Sequence, residues 1–187
     1  MRKIEKKLEL YLEDKLKNNG LYKIALENKD ARTLFRLAAE ACVGETEVTH
    51  NKSPLIELLQ KTVDGSADRE PYCMAGIQSW LSFAEKKTGI KSPIYATEHC
   101  MTCWNNTPKS SRVKKIPATG AIIIWKRGNT SSGHTGVMLS WGGTKMDTCE
   151  ANTGSANMSE GDGIFYKTRS TTATGSLKVV GFLKPFV

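Results

Sequence analysis

The chain has 187 residues, 39% hydrophobic and 25% charged, a balance ordinary for a soluble globular protein. One domain of this length buries roughly 70% of its unfolded surface and needs no disulfide or metal to hold it together. The net charge of +8 and the pI near 9.3 point to a polyanionic partner such as nucleic acid, an anionic membrane or a bacterial wall, or else to a solvated basic surface. The charge is spread without a block of five like residues, so it attracts without reading a sequence.

The opening Met1-Arg2-Lys3-Ile4 runs into Glu5, Lys6, Lys7 and Glu9, without the apolar core of a signal peptide. No run of 18 apolar residues occurs, which argues against a membrane-spanning helix. A product made in the cytoplasm is expected, with any export by another route. The five cysteines at 42, 73, 100, 103 and 149 are odd in number, and a cytoplasmic origin argues against structural disulfides.

Ile4, Leu8, Leu12 and Leu16 repeat every four residues and predict an amphipathic helix stopped by Asn18-Asn19-Gly20. A second helix is expected over Asp30–Val43, capped by Asp30, with Leu34, Leu37, Ala38 and Ala41 as its buried stripe. Ser53-Pro54 predicts the cap and first position of a third, closed by Gly65. A fourth begins near Pro71 and carries Cys73, Ile77, Trp80, Leu81 and Ala84 along one face, ending at Lys86-Lys87-Thr88-Gly89. Residues 90–118, with Pro93, Pro108 and Pro117, read as loop. The second half predicts five strands, Ala121–Trp125, Thr135–Trp141, Lys145–Asn152, Ile164–Thr168 and Leu177–Leu183, separated by Gly, Ser, Thr and Asn clusters. Helices followed by strands make an α+β domain with an antiparallel sheet.

Within this order Cys73 is the candidate nucleophile. A cysteine in the first turn of a helix has its thiolate stabilised by unpaired N–H groups and the helix dipole, and its own N–H points to where an oxyanion would form. Of His50, His99 and His134, the last opens a strand after the flexible Thr130-Ser131-Ser132-Gly133 run. A three-residue loop, Gly142-Gly143-Thr144, would pair Trp141 with Lys145. It would then set His134 opposite Asn152, with Glu150 diagonal to it on the same face. A base beside a carboxylate and an amide is the orienting arrangement of cysteine hydrolases.

With Cys73, Pro117-x-x-Gly120, Gly133-His134-Thr135-Gly136-Val137 and Glu150-x-Asn152 in this order, the segment 30–187 resembles the CHAP family. These are cysteine- and histidine-dependent amidohydrolases and peptidases of papain-like fold that cut bacterial peptidoglycan. Gly161-Asp162-Gly163, the strand ending near Arg169, and Gly181-Phe182 are also similar to the family. The resemblance implies N-terminal helices packed on a central antiparallel sheet of about five strands. It makes Cys73 the nucleophile, His134 the general base, Glu150 its orienting partner and Asn152 a supporting polar residue, without metal or organic cofactor. It implies peptidoglycan, not nucleic acid, as the partner. Release through a holin, carriage in a virion or export by a secretion system would bring a protein without a signal peptide to the wall. A secreted antibacterial amidase, a thiol peptidase on another substrate and a non-catalytic basic wall-binding module are the alternatives. The family's strand opens Gly-Asp, whereas Gly120-Ala121 lacks the acid. Residues 1–29 have no counterpart and form a helical extension that packs on the domain, binds a partner or simply lengthens the chain.

His99-Cys100-x-x-Cys103 has the spacing of half a zinc site, to which Cys149 could add a ligand, but no second Cys-x-x-Cys pair follows; reduced packing cysteines are the simpler expectation. Trp104 and Trp141 could line a groove or be buried.

Overall fold

The computed structural model describes residues 2–115, 118–154 and 161–186. Six helices precede most of the sheet: α1 Lys6–Leu16, α2 Gly20–Glu27, α3 Ala31–Glu40, α4 Pro54–Asp64, α5 Cys73–Thr88 and α6 Cys100–Asn106. The strands are β1 Arg112–Val113, β2 Ile122–Arg127, β3 Gly133–Gly142, β4 Lys145–Thr153, β5 Gly163–Ser170, β6 Ala173–Thr174 and β7 Leu177–Leu183. Their order in the sheet is β1-β7-β2-β3-β4-β5, with β6 on β7, and each of these pairings is antiparallel. The chain is α+β, as its sequence pattern predicts.

The caps explain most helix boundaries. Asp30 accepts from Thr33 N at 3.0 Å, and Ser53 from Ile56 N at 3.2 Å with Pro54 at the first helical position. α3 stops at Glu40, short of the expected Val43, and Ala41–Gly44 turn back toward β5, where Gly44 N donates to Ile164 O. Between α1 and α3 lies a helix the sequence did not reveal. Asn19, read as part of a stop, also caps α2 by accepting from Leu21 N and Tyr22 N. Likewise the stretch read as loop holds α6 and β1.

α5 departs from the expected amphipathic pattern. It starts at Cys73 instead of Pro71, and apart from Lys86 and Lys87 it is buried on every side. A helix buried all round is a central core element, and α5 packs against α3, α4, β3 and β4. The core on this side takes Leu8, Leu12 and Leu16 of α1, Leu34 and Phe35 of α3, Trp80 of α5, and Ile122, Ile124, Val137, Cys149 and Ala151 of the sheet.

Residues 2–29 belong to the same packing. Arg2 is buried and donates to Gln78 Oε1 at 2.5 Å, Ile94 O at 2.9 Å, and Glu85 Oε1 at 2.9 Å. Glu9 is buried and holds Lys86 and Lys87 at 2.6 and 2.9 Å. These contacts clamp α1 along α5. Burial disfavours the Glu9 anion, but the hydrogen bonds from Lys86, Lys87 and Lys6 outweigh it and bring its carboxyl down to about 2.

Side chains alternate across the sheet, so the other face carries Ile123, Trp125, Met138, Met146, Leu177 and Phe182 as a second cluster. His134, paired with Trp125, lies on this face, as do Thr148 and Glu150, which alternate with the helix-facing Cys149 and Ala151. α5 and β3 thus lie in different layers, and their first turns meet at one end of the sheet.

Candidate active site

Cys73, His134 and Asn152 line one cavity of about 620 Å³, with Asn51, Arg127 and Arg169 also in its wall. Glu150 lies behind it, fully buried, and accepts from His134 Nε2 at 2.8 Å. The imidazole is therefore tethered through Nε2, and Nδ1 is not engaged by the carboxylate. Trp125 stacks on the ring, with centroids 5.7 Å apart and planes at 21°. A hydrogen bond on one edge and an indole on one face leave the ring little freedom to turn.

The His134–Glu150 alignment arises by a different route from the one its sequence predicts. Gly142 pairs with Lys145, so the turn is the two-residue Gly143-Thr144 and not a three-residue loop. That tighter turn would put His134 out of step. An extra residue, Leu139, is bulged between the Met138–Thr148 and Ser140–Asp147 pairs, and restores the register that Val137–Cys149 shows. Asn152 sits at a second irregularity, between Ala151 and Thr153, with φ of 54°, a left-handed conformation that Asn tolerates better than most residues.

The glycines flanking His134 have steric reasons. A Cβ on Gly136 would lie 2.7 Å from Glu150 Cγ, so its absence makes room for the carboxylate side chain. A Cβ on Gly133 would meet Trp125 O at 2.4 Å and Cys100 Cβ at 3.1 Å, so a bare backbone lets α6 close on β3.

Arg169, noted in the sequence only as a strand end, forks onto Glu150 through Nε at 2.8 Å and Nη2 at 2.5 Å. Thr148 Oγ1 donates to the same carboxylate at 2.6 Å. With His134 this makes four donors on two oxygens, enough to satisfy a buried carboxylate. Burial opposes the Glu150 charge, but Arg169 and then His134 overcome it and lower its carboxyl to about 2. No sequence signal brings Arg169 here: it reaches Glu150 through the pairing of β5 with β4, where it lies opposite Met146, four residues along β4 from Glu150 on the same face.

Cys100 was also missed as a neighbour of Cys73; the two Sγ atoms are 3.6 Å apart. The Cys73 thiol is held well below its ordinary value of 9.0. The Cys100 hydrogen bond contributes most; His134 and the Met74 N–H add to it, and burial opposes it. Cys100 moves the opposite way, raised by the adjacent Cys73 sulfur and by burial, so it remains a thiol that donates to the Cys73 thiolate. Burial alone would lower His134, yet its hydrogen bonds to Cys73 and Glu150 raise it to about 9. A thiolate beside an imidazolium is the form in which a cysteine attacks a carbonyl carbon while its partner protonates the leaving group.

The Cys-x-x-Cys spacing does not assemble a knuckle. His99 is exposed, Cys100 turns to Cys73, Cys103 donates to Tyr95 O at 3.5 Å, and Cys149 is enclosed beneath β4. Among the described residues no group of three or more His, Cys, Asp or Glu side chains could hold a metal ion. Trp104 is buried under Arg112 and Lys114, while Trp141 is exposed and bonds Gly143 O at the far end of β3; neither lines the cavity at Cys73. Pro117 lies outside the described residues. Among those described, no helix is long and apolar enough to cross a membrane. Comparison with protein-family models and with curated proteins returns no match.

Proposed function

We propose that the protein is a cysteine amidase or endopeptidase of the CHAP type, papain-like in fold, that cleaves an amide bond of bacterial peptidoglycan. The observation that carries the reading is the junction of Cys73, first residue of a buried helix, with a His134 whose other nitrogen bonds a fully buried Glu150 at 2.8 Å. A structural histidine needs neither a thiolate at one edge nor a charge-neutralised carboxylate at the other.

In this mechanism the Cys73 thiolate attacks the amide carbonyl, and the Cys73 N–H helps hold the oxyanion. The His134 imidazolium protonates the departing amine, then activates the water that releases the acyl-enzyme. Glu150 keeps the imidazole oriented and stabilises its charged form, and Asn152 supplies a polar wall beside it. The chemistry draws on the chain's own residues. The +8 charge favours an anionic wall and gives binding that weakens as salt rises. Export through a holin, as in a phage lysin, is the route we favour.

Digestion of purified walls, followed by mass spectrometry of the products, tests the activity and identifies the bond. New amino groups should appear with wild type and vanish with Cys73→Ser or His134→Ala at unchanged circular dichroism. Full activity in either variant would overturn the mechanism. A soluble protein cleaved faster than wall would transfer it to another substrate.

A further inference from the structure

Behind Cys73 lies a second cavity, of about 420 Å³, that reaches both Cys73 and Cys100. All five cysteines are free thiols, but their surroundings differ. Cys42 is engaged with Ala38 O and Trp80, and Cys103 with Tyr95 O and Thr107; Cys149 is wholly buried. Cys100 alone has its sulfur against another sulfur, 3.6 Å from Cys73 Sγ, in the gap opened by the missing side chain of Gly133. A disulfide requires that gap to close to about 2.05 Å.

We propose that Cys73 and Cys100 form an oxidation site for hydroperoxides, with Cys73 as the sulfur attacked first and Cys100 as the resolving thiol. The Cys73 thiolate displaces hydroxide from hydrogen peroxide to give a sulfenic acid, and the hydroxide takes the imidazolium proton of His134 to leave as water. The Cys100 thiol then attacks the sulfenic sulfur, its proton leaving with the hydroxyl as a second water. Two thiols are oxidised to one disulfide, and one peroxide is reduced to two waters. The second cavity gives so small an oxidant a path to the pair. A dithiol reductant reverses the bond by exchange. The effect on turnover rests on Cys73 being the nucleophile of the proposed hydrolase; formation of the bond does not. Oxidation then switches the site off while sparing Cys73 from irreversible sulfinic acid.

The full-length protein should be treated with one equivalent of hydrogen peroxide, alkylated and digested without reductant. The expected product is a peptide linking Cys73 to Cys100, with Cys42, Cys103 and Cys149 alkylated. Wall hydrolysis should fall by roughly tenfold or more and return on adding dithiothreitol. Given at least two equivalents of peroxide, which sulfinic acid requires, Cys100→Ser and Cys100→Ala should instead carry Cys73 to sulfinic acid, which dithiothreitol does not reverse, while wild type still stops at the disulfide. Wild-type protein in which Cys73 becomes sulfinic while Cys100 stays alkylated overturns the proposal, as does a bond from Cys73 to any other cysteine. A linked peptide without wall hydrolysis in the reduced protein leaves the oxidation site standing and removes the proposed function.

Discussion

Arg169 grips both oxygens of Glu150, through Nε at 2.8 Å and Nη2 at 2.5 Å, so the carboxylate facing His134 is an anion before any substrate arrives. Its guanidinium also lies over Trp125, 5.8 Å from the ring, and Trp125 in turn stacks on His134. Cation, indole, imidazole and carboxylate thus make one closed unit on the sheet face away from α5.

Removing the cation from this unit should be costly. Arg169→Leu leaves Glu150 buried with less than its full set of donors and is expected to destabilise the fold by about 3–5 kcal/mol, measured by urea denaturation. Arg169→Lys retains charge without the fork, so its loss should be smaller but present. Equal stability of all three proteins would show that Thr148 and His134 alone satisfy the carboxylate.

The proton balance predicts two pH limbs. His134 is raised from 6.5 to about 9, so its contribution to stability is full below 6.5 and is lost as pH rises through about 9. Glu150 is lowered from 4.5 to about 2, so its contribution is full above 4.5 and is lost as pH falls toward about 2. Wall hydrolysis should decline on the alkaline side near pH 9, where the imidazolium that protonates the leaving amine disappears. An alkaline limb centred near 6.5 would mean that His134 is not paired with Cys73 and Glu150 as described.

Gly136 offers a steric test of the orienting carboxylate. The new methyl in Gly136→Ala would lie 2.7 Å from Glu150 Cγ, which must move. A stability loss of about 1–3 kcal/mol is expected, with turnover falling more than the unfolded fraction explains. Gly142→Ala, with nothing within 4 Å of its Cβ, is the control and should change stability by no more than about 0.5 kcal/mol.

At the other end of α5, Arg2→Ala breaks a buried pair with Glu85 and empties three further contacts, to Gln78, Ile94 and Ser92. Destabilisation of about 3–5 kcal/mol is expected in thermal or urea unfolding. A neutral result would show that residues 2–29 are an appendage, despite Leu8, Leu12 and Leu16 lying in the common core.

Much of this arrangement was legible before the fold was known, for reasons that differ between elements. α1, α3 and α4 announce themselves because their stripes and caps are local: Leu8-Leu12-Leu16, Asp30 and Ser53-Pro54 need no distant partner. α2 was hidden because Asn19 both follows one helix and caps the next. α5 was found but misread as one-sided, since Gln78, Ser79 and Ser82 look solvent-facing until their buried partners Arg2, Thr62 and Ile4 N are in place. Cys73, His134 and Glu150 stand out in the sequence by residue type and order, and the fold brings them together. Cys100 and Arg169 join them only through packing of α6 on β3 and pairing of β5 with β4.

The bulge at Leu139 separates the tip of the β3–β4 hairpin from its base. A residue added or removed beyond Leu139 has a place where the mismatch can be absorbed before it reaches His134. The Gly143-Thr144 tip is therefore the natural point for grafting a foreign peptide, such as an affinity tag or a wall-targeting sequence. An odd number of residues inserted between Leu139 and His134 would turn the histidine to the wrong side of the sheet.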